Sequence, residues 1–456
     1  MTNLARRASA LLPLCALVAL SAPAGAHAQA SGGLAQLPGK RGCLVDGPRD
    51  RHGCTPVRAL DGPAPFLGSN AVAISPDGRH VYVASSRSDA IAVFSRSART
   101  GALTQRQGAA GCIAADGADR CAAGVGLDGP NSVAVSPDGR SVYATSLHSD
   151  AVLTFHRDPS TGALAQAGCV AGQAIPGCTP SRTLDGADVV VVSGDGRSVY
   201  VGAFAAGTVT TFERDAATGA LTQVGCLADT PTEGCATGLA LGAPEGLAVS
   251  ADGAAVYVAA ARGNALAVLA RDPSNGALTQ AADGSGCIVD RRLAGCTTGR
   301  ELAGANAVAI ASGDGGVYVT SLLSASLTGF DRASDGRLTQ MTGYPGCVTD
   351  VPQSGCQIGR ALGAPEGVAV SPDGARVYVA AFKPGAVAVF TRDAGSGSVR
   401  QARGRLGCVT ARPTRGCRRG RAVTGVGAIA VSPDGKHVYA AGFGSDSIAV
   451  FRAGGR

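Results

Sequence analysis

Tryptophan is absent from this 456-residue chain, and aromatic residues of all kinds make up only 4% of it. Recognition of sugars by stacking on broad aromatic faces is therefore disfavoured. The repeated part of the sequence has no 3.6-residue apolar period, which excludes a helical fold. The net charge of +7 comes without a lysine-rich tail or a basic helical face, so we expect no nucleic-acid partner.

Short motifs for metals and nucleophiles are also missing. The chain has no C-x-x-C pair for zinc, no D-x-D-x-D-G loop for calcium and no G-x-S-x-G elbow for a serine nucleophile. We therefore expect no metal, no cofactor and no serine hydrolase triad.

Residues 1–30 have the three-part layout of a secretory signal peptide. Arg6 and Arg7 form a charged start, Leu11–Leu20 is an apolar run, and small residues around Ala28 suit a signal peptidase. The apolar run is too short for a membrane anchor, so we expect no membrane span. The protein is predicted to be secreted, extracellular or periplasmic, with one folded domain over residues 31–456.

Fourteen cysteines follow this leader, and an even number in a secreted chain indicates disulfides. The two members of a pair lie nine residues apart in six pairs and eleven apart in the first. The pairs are Cys43 with Cys54, Cys112 with Cys121, Cys169 with Cys178, Cys226 with Cys235, Cys287 with Cys296, Cys347 with Cys356, and Cys408 with Cys417. No histidine recurs beside them, which disfavours zinc. We predict one disulfide-closed loop per repeat, with bonds between neighbouring repeats as the less local alternative.

A four-residue phrase, SPDG or a close variant, returns seven times at intervals of 57 to 62 residues. Its copies are Ser75–Gly78, Ser136–Gly139, Ser193–Gly196, Ser250–Gly253, Ser312–Gly315, Ser371–Gly374 and Ser432–Gly435. Each copy lies between two short β-branched segments, where the proline and glycine suit a tight turn. A period near 60 with several short strands is typical of a propeller.

One repeat reads as four short antiparallel strands. Such a sheet is apolar on both faces and must stack on neighbours around an axis, so seven repeats predict an all-β, seven-bladed β-propeller with four-stranded antiparallel blades. The second strand of every repeat carries a tyrosine, which we interpret as packing between blades. These are Tyr82, Tyr143, Tyr200, Tyr257, Tyr318, Tyr378 and Tyr439.

The two ends of the chain predict how the ring closes. The last repeat stops after its third strand, and Gly33–Gln36 is similar to the fourth-strand phrase at Gly101–Gln105. The N-terminal strand should therefore complete the last blade and leave no open sheet edge. We expect a monomer.

These residues resemble a known family. SPDG followed by VYVA at Val81–Ala84 and Val377–Ala380, YVTS at Tyr318–Ser321 and an IAVF-type third strand are similar to the YVTN-type, lactonase-like seven-bladed propellers. The resemblance covers residues 31–456 and implies the fold. It also implies lactone hydrolysis as a candidate activity, since some members are lactonases. The leader and the disulfide loops depart from the cytosolic members that act on a sugar-phosphate lactone, and no catalytic motif of the family transfers position by position.

The candidate site lies where the innermost strands of a propeller begin, around the central channel, and we expect the cysteine loops to frame this face. The position at each strand entry carries a polar residue in six repeats and a glycine in the last. In chain order these residues are Asn70, Asn131, Asp188, Glu245, Asn306, Glu366 and Gly427. Five residues after each tyrosine the loops carry Arg87, His148, Ala205, Arg262, Leu323, Lys383 and Gly444, and Phe204, Phe382 and Phe443 precede three of these. We predict ligand contacts from Asn70, Asn131, Asp188, Glu245, Asn306, Glu366 and Lys383.

Lactone hydrolysis needs a base for water and a cation for the developing oxyanion. His148 or Glu245 is the candidate base, and Arg87 or Arg262 the candidate cation. The alternatives are that these polar side chains only solvate the channel, or that Asp188, Glu245 and Glu366 hold a cation on the axis.

The last repeat contains eight arginines, Arg400, Arg403, Arg405, Arg412, Arg415, Arg418, Arg419 and Arg421, and no acidic residue from 394 to 433. This segment is either solvated surface or a patch for anionic polymer or lipid head groups. The sequence as a whole predicts a secreted binding or scaffold protein for a small polar ligand or an extracellular polymer, with a metal-independent lactonase-like hydrolase as the alternative.

Overall fold

The computed structural model describes residues 32–48, 53–63, 70–353 and 355–455. The predicted signal peptide, residues 1–30, lies outside the described residues. Strands and short 3-10 turns make up the regular structure of the described part, with no α-helix. In those same residues no helix has the length and apolarity needed to cross a membrane.

Seven sheets form seven blades, numbered here in chain order from the strand Val72–Ile74. The innermost strand of each blade contacts the innermost strands of both neighbouring blades, all the way round the ring. The predicted seven-bladed propeller is therefore confirmed.

The first three strands of each blade are antiparallel, and they begin and end at closely similar places in each repeat. The innermost strands are Val72–Ile74, Pro130–Val135, Ala187–Val192, Pro244–Val249, Ala305–Ile310, Pro365–Val370 and Val426–Val431. The second strands are His80–Ser85, Ser141–Ser146, Ser198–Ala203, Ala255–Ala260, Val317–Ser321, Arg376–Ala381 and His437–Gly442. The third strands are Ala90–Arg96, Ala151–Arg157, Thr208–Arg214, Ala265–Arg271, Ser326–Arg332, Ala386–Arg392 and Ser447–Gly455.

The outer part of each blade differs from the prediction of four antiparallel strands. The fourth strand is continuous in two blades, as Leu164–Ala171 and Leu221–Ala228. In the other five it is broken into two segments: Leu103–Gln105 and Cys112–Ala115, Leu278–Gln280 and Gly284–Val289, Leu338–Gln340 and Cys347–Thr349, Val399–Gln401 and Cys408–Thr410, and Gly33–Gln36 and Cys43–Asp46.

A fifth strand then adds to the outer edge and runs parallel to the fourth. The fifth strands are Ala122–Gly124, Thr179–Pro180, Ala236–Thr237, Cys296–Thr298, Gln357–Ile358, Arg418–Arg419 and Thr55–Val57. The blades are thus mixed sheets of five or six strands, because the chain doubles back through the disulfide loop before it leaves the blade.

Short 3-10 turns join several of these segments. They are Gly39–Gly42, Gly108–Gly111, Ala118–Arg120, Ser312–Asp314, Tyr344–Gly346, Gly404–Leu406 and Phe443–Ser445. Blade 7 combines strands from the two ends of the described part of the chain, since Gly33–Gln36 pairs antiparallel with Ser447–Gly455.

All seven predicted disulfides form, each within one loop, so the alternative of bonds between neighbouring repeats is wrong. The bonds join Cys43 to Cys54, Cys112 to Cys121, Cys169 to Cys178, Cys226 to Cys235, Cys287 to Cys296, Cys347 to Cys356, and Cys408 to Cys417. Seven disulfides indicate an oxidising, non-cytoplasmic compartment.

In blade 1, Cys112 pairs with Ala92, so the cysteine loop lies toward the end of the blade where the third strand begins. All seven disulfides lie at the outer edge of their blades, at the opposite end of the sheet from the innermost strand, from Cys43 and Cys54 in blade 7 to Cys408 and Cys417 in blade 6. The loops therefore do not line the channel itself. The reason is that each loop returns to the fifth strand, and only the segment after that strand crosses to the next blade.

The second-strand tyrosines lie in the interior between blades, which confirms their packing role. Tyr143 shows the geometry: its hydroxyl donates to the carbonyl of Gly219 in the next blade at 2.8 Å. The buried side chains Val81, Phe94 and Leu103 show how aliphatic and aromatic residues fill the rest of each interface.

Candidate active site

The polar ring predicted from the sequence occupies one recurring structural position. In blades 2 to 7 the strand register shifts by one residue at the start of the innermost strand, as it does between Pro244 and Gly246 around Glu245. Such a bulge leaves the extra residue out of the ladder and redirects its side chain. The seven entries, with the second-to-third-strand loops beside them, are called the channel mouth below.

Most of this ring is packed inward. Asn131, Asp188, Asn306 and Glu366 are buried, whereas Asn70 is exposed. Amides in the ring reach across to the next blade: Asn131 donates to a carboxylate oxygen of Asp188, and Asn306 donates to the carbonyl of Pro365 at 2.9 Å.

Three carboxyl groups share this ring, and burial raises the pKa of each. The pKa of Glu366 rises to about 8 because of burial and the nearby Glu245. Burial and Glu245 also raise the pKa of Asp188 well above its usual range, against the hydrogen bond from Asn131. Neither oxygen of Glu366 has a hydrogen-bond partner in the described part of the chain. A buried carboxylate without partners is costly, so this position favours the neutral form of Glu366.

Glu245 differs from the other two carboxyl groups because a cation stands beside it. Burial raises the pKa of Glu245 to about 8, and the positive charge of Arg262 opposes that rise. Its side chain keeps a trace of exposure, 2%, where Asp188 and Glu366 have none. A carboxyl group with a pKa near neutrality next to a guanidinium is the combination that acid–base chemistry at neutral pH uses.

The backbone holds Arg262 over the entry of its own blade. The amides of Ala261 and Gly263 donate to the carbonyls of Ala243 and Gly242, at 2.9 and 3.0 Å. Arg262 is therefore fixed immediately above the strand that begins with Pro244 and Glu245. Its guanidinium carbon lies 5.2 Å from the ring centroid of Phe204 in blade 3, within cation–π range.

The other two catalytic candidates lie in different surroundings. Arg87 is ion-paired at 3.3 Å with both Asp61 and Asp446, and its guanidinium carbon is 3.9 Å from the Phe443 ring centroid. His148 pairs with Asp128 at 3.1 Å, and both side chains are mostly exposed. The positive charge of Arg262 thus acts on Glu245, whereas Arg87 is ion-paired with Asp61 and Asp446 and His148 contacts Asp128.

The remaining predicted ligand residue, Lys383, is exposed on the blade 6 loop, at the position that Arg262 occupies in blade 4. Beside it, the rings of Phe382 and Phe443 lie 6.5 Å apart. The mouth thus has two aromatic and cationic clusters, one at blades 3 and 4 and one at blades 6, 7 and 1.

Sequence reasoning missed the residues that hold these loops in place. Asn264 ends the Arg262 loop with a left-handed φ of 49°, and its side-chain oxygen accepts from the Gly304 amide of the next blade at 2.8 Å. Asp89 and Asp150 make the same contact with Gly129 and Gly186. The available signal was an aspartate or asparagine directly before the third strand, a residue type that tolerates this conformation.

The alternative of an axial cation finds no support in the geometry. Residues 32–48, 53–63, 70–353 and 355–455 contain no group of three or more histidine, cysteine, aspartate or glutamate side chains arranged to hold a metal ion.

Two grooves open elsewhere on the molecule, between the outer edges of neighbouring blades. One of about 760 Å³ lies between blades 7 and 1 and is lined by Pro56, Arg58 and Thr104 among others. The other, of about 630 Å³, lies between blades 4 and 5 and contains the exposed pair Arg337 and Asp283. In the second groove the pKa of Asp283 is lowered, chiefly by hydrogen bonds from Ser285, whereas the pKa of Glu245 at the channel mouth is raised.

Comparison with known proteins supports the fold and names a family. The model of the family "Lactonase, 7-bladed beta-propeller" matches residues 64–178 and 129–286. No curated protein matches the chain.

Solved structures share the architecture at low identity. The periplasmic gluconolactonase of Pseudomonas aeruginosa is 20% identical with a TM-score of 0.54, over 79% of this chain and 87% of that one. A chain of Kuenenia stuttgartiensis hydrazine synthase is 15% identical with a TM-score of 0.52, over 85% and 96%. The Cps50 (Swd1) propeller domain of Myceliophteria thermophila is 11% identical with a TM-score of 0.51, over 86% and 98%.

Structures this distant share only a fold, because propellers carry many unrelated activities. The family model rests on the sequence itself, and the seven blades complete the pattern that it describes. Residues 64–286 are therefore similar in sequence to the lactonase-like seven-bladed β-propeller family, and the described part of the chain has that family's seven-bladed fold.

Proposed function

We propose that this protein is a metal-independent, lactonase-type hydrolase with its active site at Glu245 and Arg262. The observation that carries the proposal is the pairing of a buried carboxyl group, whose pKa is raised to about 8, with a cation held over the same strand entry. In the ring, the pKa values of Asp188 and Glu366 are also raised, but the charged group that acts on each of them is Glu245, not a cation.

Each residue has a defined role in the reaction. The ionised Glu245 takes a proton from water as its oxygen adds to the lactone carbonyl, and Arg262 stabilises the negative charge that develops on the carbonyl oxygen. The bond between the carbonyl carbon and the ring oxygen then breaks. Glu245 returns its proton to that ring oxygen, so that water and lactone give one hydroxy acid.

The proposed substrates are small, unphosphorylated lactones. The disulfides place the protein in an oxidising compartment, where phosphorylated metabolic intermediates are scarce. The periplasmic gluconolactonase with the same fold supports this choice. We also propose that residues 1–30 direct export to the periplasm or the medium. The mass of the exported protein would then correspond to a chain beginning at Gln29 or Ser31.

The test measures acid release from a six-membered sugar lactone, its 6-phosphate, a five-membered sugar lactone and δ-valerolactone. We expect turnover of at least one unphosphorylated lactone, with Glu245→Gln and Arg262→Met each about a hundredfold or more slower. Glu366→Gln and Arg87→Met are matched controls, because they change the same residue types at equivalent positions of other blades, and both should retain most activity.

Two results would contradict the proposal. Turnover that survives in Glu245→Gln and Arg262→Met would place the chemistry elsewhere. The folded, oxidised protein could also fail to hydrolyse any of the lactones. That result would favour a binding protein whose ligand contacts the channel mouth.

A further inference from the structure

The net positive charge of the protein comes from one segment. Residues 394–433 contain eight arginines and no acidic residue, while the rest of the chain has one more acidic than basic residue. This segment was predicted to belong to the seventh repeat, but the structure places its strands Val399–Gln401, Cys408–Thr410 and Arg418–Arg419 on the outer edge of blade 6.

Two of the eight arginines hold the neighbouring blade. Arg418 donates to the carbonyl of Leu34 at 3.2 Å, and Arg421 donates to the carbonyls of Gly53 and Gly39 at 3.0 and 2.8 Å. The other six are exposed, and none of them has an ion pair within the described ranges. They are Arg400, Arg403, Arg405, Arg412, Arg415 and Arg419. Packing therefore accounts for two of these residues and leaves six cations turned to solvent.

Blade 5 carries exposed apolar side chains at the same places. Tyr344, Val351 and Ile358 are 66%, 47% and 69% exposed. Tyr344 is also the one tyrosine outside the buried ring.

The two sets occupy equivalent positions of consecutive repeats. Tyr344 and Arg405 each come three residues before the first cysteine of their blade, and Val351 and Arg412 four residues after it. Ile358 and Arg419 each come two residues after the second cysteine. Equivalent positions of adjacent blades lie at the same height on the side of a propeller.

Hydrogen bonds join these two outer edges directly. Gln357 of blade 5 donates to the carbonyls of Tyr344 and Val399, both at 2.9 Å, and Arg360 donates to the carbonyl of Gly404 at 3.2 Å. An apolar triplet and an arginine triplet thus form one continuous surface, which we call the blade 5–6 edge. The disulfides Cys347–Cys356 and Cys408–Cys417 close the loops that carry it.

We propose that the blade 5–6 edge binds the surface of a membrane containing anionic phospholipids. The arginines would contact lipid phosphates bidentately, and Tyr344, Val351 and Ile358 would enter the boundary between head groups and acyl chains. A wholly hydrophilic polyanion would use the arginines but would gain nothing from three exposed apolar side chains beside them. The juxtaposition therefore favours an amphiphilic surface over a soluble polysaccharide. This proposal is independent of the hydrolase activity.

The experiment measures cosedimentation of the mature, oxidised protein with vesicles of phosphatidylcholine, with and without about one third phosphatidylglycerol. We expect binding to the anionic vesicles alone, and its loss in about 0.5 M salt. The variant Arg405→Ser/Arg412→Ser/Arg419→Ser should bind at least about tenfold more weakly. The variant Tyr344→Ser/Val351→Ser/Ile358→Ser should lose several-fold in affinity while it keeps the salt dependence.

The matched control is Arg79→Ser/Arg140→Ser/Arg197→Ser, which removes three exposed arginines from turns in blades 1 to 3 and should bind like the wild type. Its thermal unfolding, and that of the other two variants, checks folding. Equal binding to neutral vesicles would overturn the proposal, as would wild-type binding by both edge variants. A further contrary outcome is that the protein binds soluble dextran sulfate as tightly as it binds vesicles, with no loss in the Tyr344→Ser/Val351→Ser/Ile358→Ser variant. That result would identify the edge as a polysaccharide-binding surface.

Discussion

The guanidinium of Arg157 in blade 2 donates to the hydroxyl of Tyr82 in blade 1, with 2.8 Å between Nε and Oη. The same guanidinium pairs with Asp77 in the SPDG turn of blade 1 at 2.9 Å. The tyrosine hydroxyl in turn donates to the carbonyl of Gly162 at 3.0 Å. One arginine therefore ties two blades together at the face opposite the channel mouth.

The same link, with the equivalent residues, recurs between other blades. Its arginines are Arg96, Arg157, Arg214, Arg271 and Arg332, each paired with the tyrosine and the turn aspartate of the preceding blade. Arg392 keeps the tyrosine contact and reaches the Gly315 carbonyl instead. In five of the turn phrases, the aspartate thus joins two blades as well as shaping the turn.

Removing one tyrosine hydroxyl tests how much this link contributes to the free energy of unfolding. Tyr82→Phe leaves the Nε–H group of the buried Arg157 without its acceptor, so we expect a loss of about 1.5–3 kcal/mol in the free energy of unfolding. Urea denaturation measures it. The control is Tyr344→Phe, an exposed tyrosine whose change should stay within about 0.5 kcal/mol. Equal effects of the two substitutions would show that the link contributes nothing.

Acid should weaken the same links because it protonates their aspartates. Burial raises the pKa of Asp77 and Asp434, but hydrogen bonds from the turn serine, the backbone and the arginine outweigh it, and each pKa is lowered to about 2. The unfolded chain protonates these groups near pH 4, so stability should fall as the pH drops from about 4 to about 2. Thermal unfolding across this range should show a shallower loss in Asp77→Asn/Asp434→Asn than in the wild type. Asp331→Asn, an exposed aspartate outside the turns, should leave the slope unchanged.

Two histidines predict a second pH dependence at milder acidity. The Nδ1 atoms of His80 and His437 lie 2.7 and 2.9 Å from the guanidinium nitrogens of Arg157 and Arg96. Burial, and then the arginine charge, lower the pKa of both rings. The unfolded chain takes up protons first, so these two rings should contribute a loss of stability as the pH drops below about 6.5. Glu245 and Glu366, whose pKa values are raised, contribute with the opposite sign over the same range.

Replacing both histidines by serine should remove their part of the pH dependence. Ser141 and Ser198 occupy the equivalent positions in blades 2 and 3, where they accept from Arg214 and Arg271 at 3.1 and 3.2 Å. The double variant His80→Ser/His437→Ser should therefore fold, and its melting temperature should rise relative to that of the wild type as the pH drops from about 7 to 5. A constant difference between the two proteins across this range would rule out a contribution from the histidines.

The disulfide loops stabilise single blades from the outside. Replacing Cys112 and Cys121 together by serine should cost about 2–3 kcal/mol, because the short loop is no longer closed in the unfolded chain. Denaturation under oxidising conditions measures this cost. Reductant should destabilise the wild type by much more, since it opens seven bonds. An unchanged midpoint in the double variant would contradict a stabilising role.

Much of the fold could be predicted because it repeats. The turn phrase, the tyrosine and the cysteine pair each recur seven times, so that blade number, strand register and local disulfides follow from spacing. The fifth strand could not be predicted, since pairs such as Gln357–Ile358 and Arg418–Arg419 are too short to show a strand period. Links between blades were also hidden, because Arg157 and Tyr82 lie 75 residues apart.

The position of the cysteine loops within the blade could not be predicted from the sequence, for the same reason as the fifth strand. Cys178 and Cys235 stand directly before the two-residue strands Thr179–Pro180 and Ala236–Thr237, which fix these loops to the outer edge. Without those strands, the sequence order alone suggested that each loop leads straight into the next innermost strand. The pairing of the cysteines was thus predictable, and their position in the blade was not.

The proposed site stays a prediction, but the ring on which it rests could be found from the sequence. Polar residues at strand entries marked one recurring structural position, the bulge at the start of the innermost strands of blades 2 to 7, since a core strand would not carry them. Sequence alone could not separate Glu245 from Glu366, because both stand in the phrase Pro-Glu-Gly. What separates them is the positive charge of Arg262, which opposes the rise in the pKa of Glu245. Arg262 lies seventeen residues further along the chain, so its effect depends on how its loop folds back over the strand entry.

The pH dependence of lactone hydrolysis tests the central claim most directly. We would measure kcat/KM for the best unphosphorylated lactone from about pH 6 to 9.5, because this ratio reports the ionisation of the free enzyme. The account predicts a rate that rises with pH and levels off above an apparent pKa of about 8, the value for Glu245, with this inflection absent from Glu245→Gln. A wild type and a Glu245→Gln variant with the same rates and the same profile would contradict it.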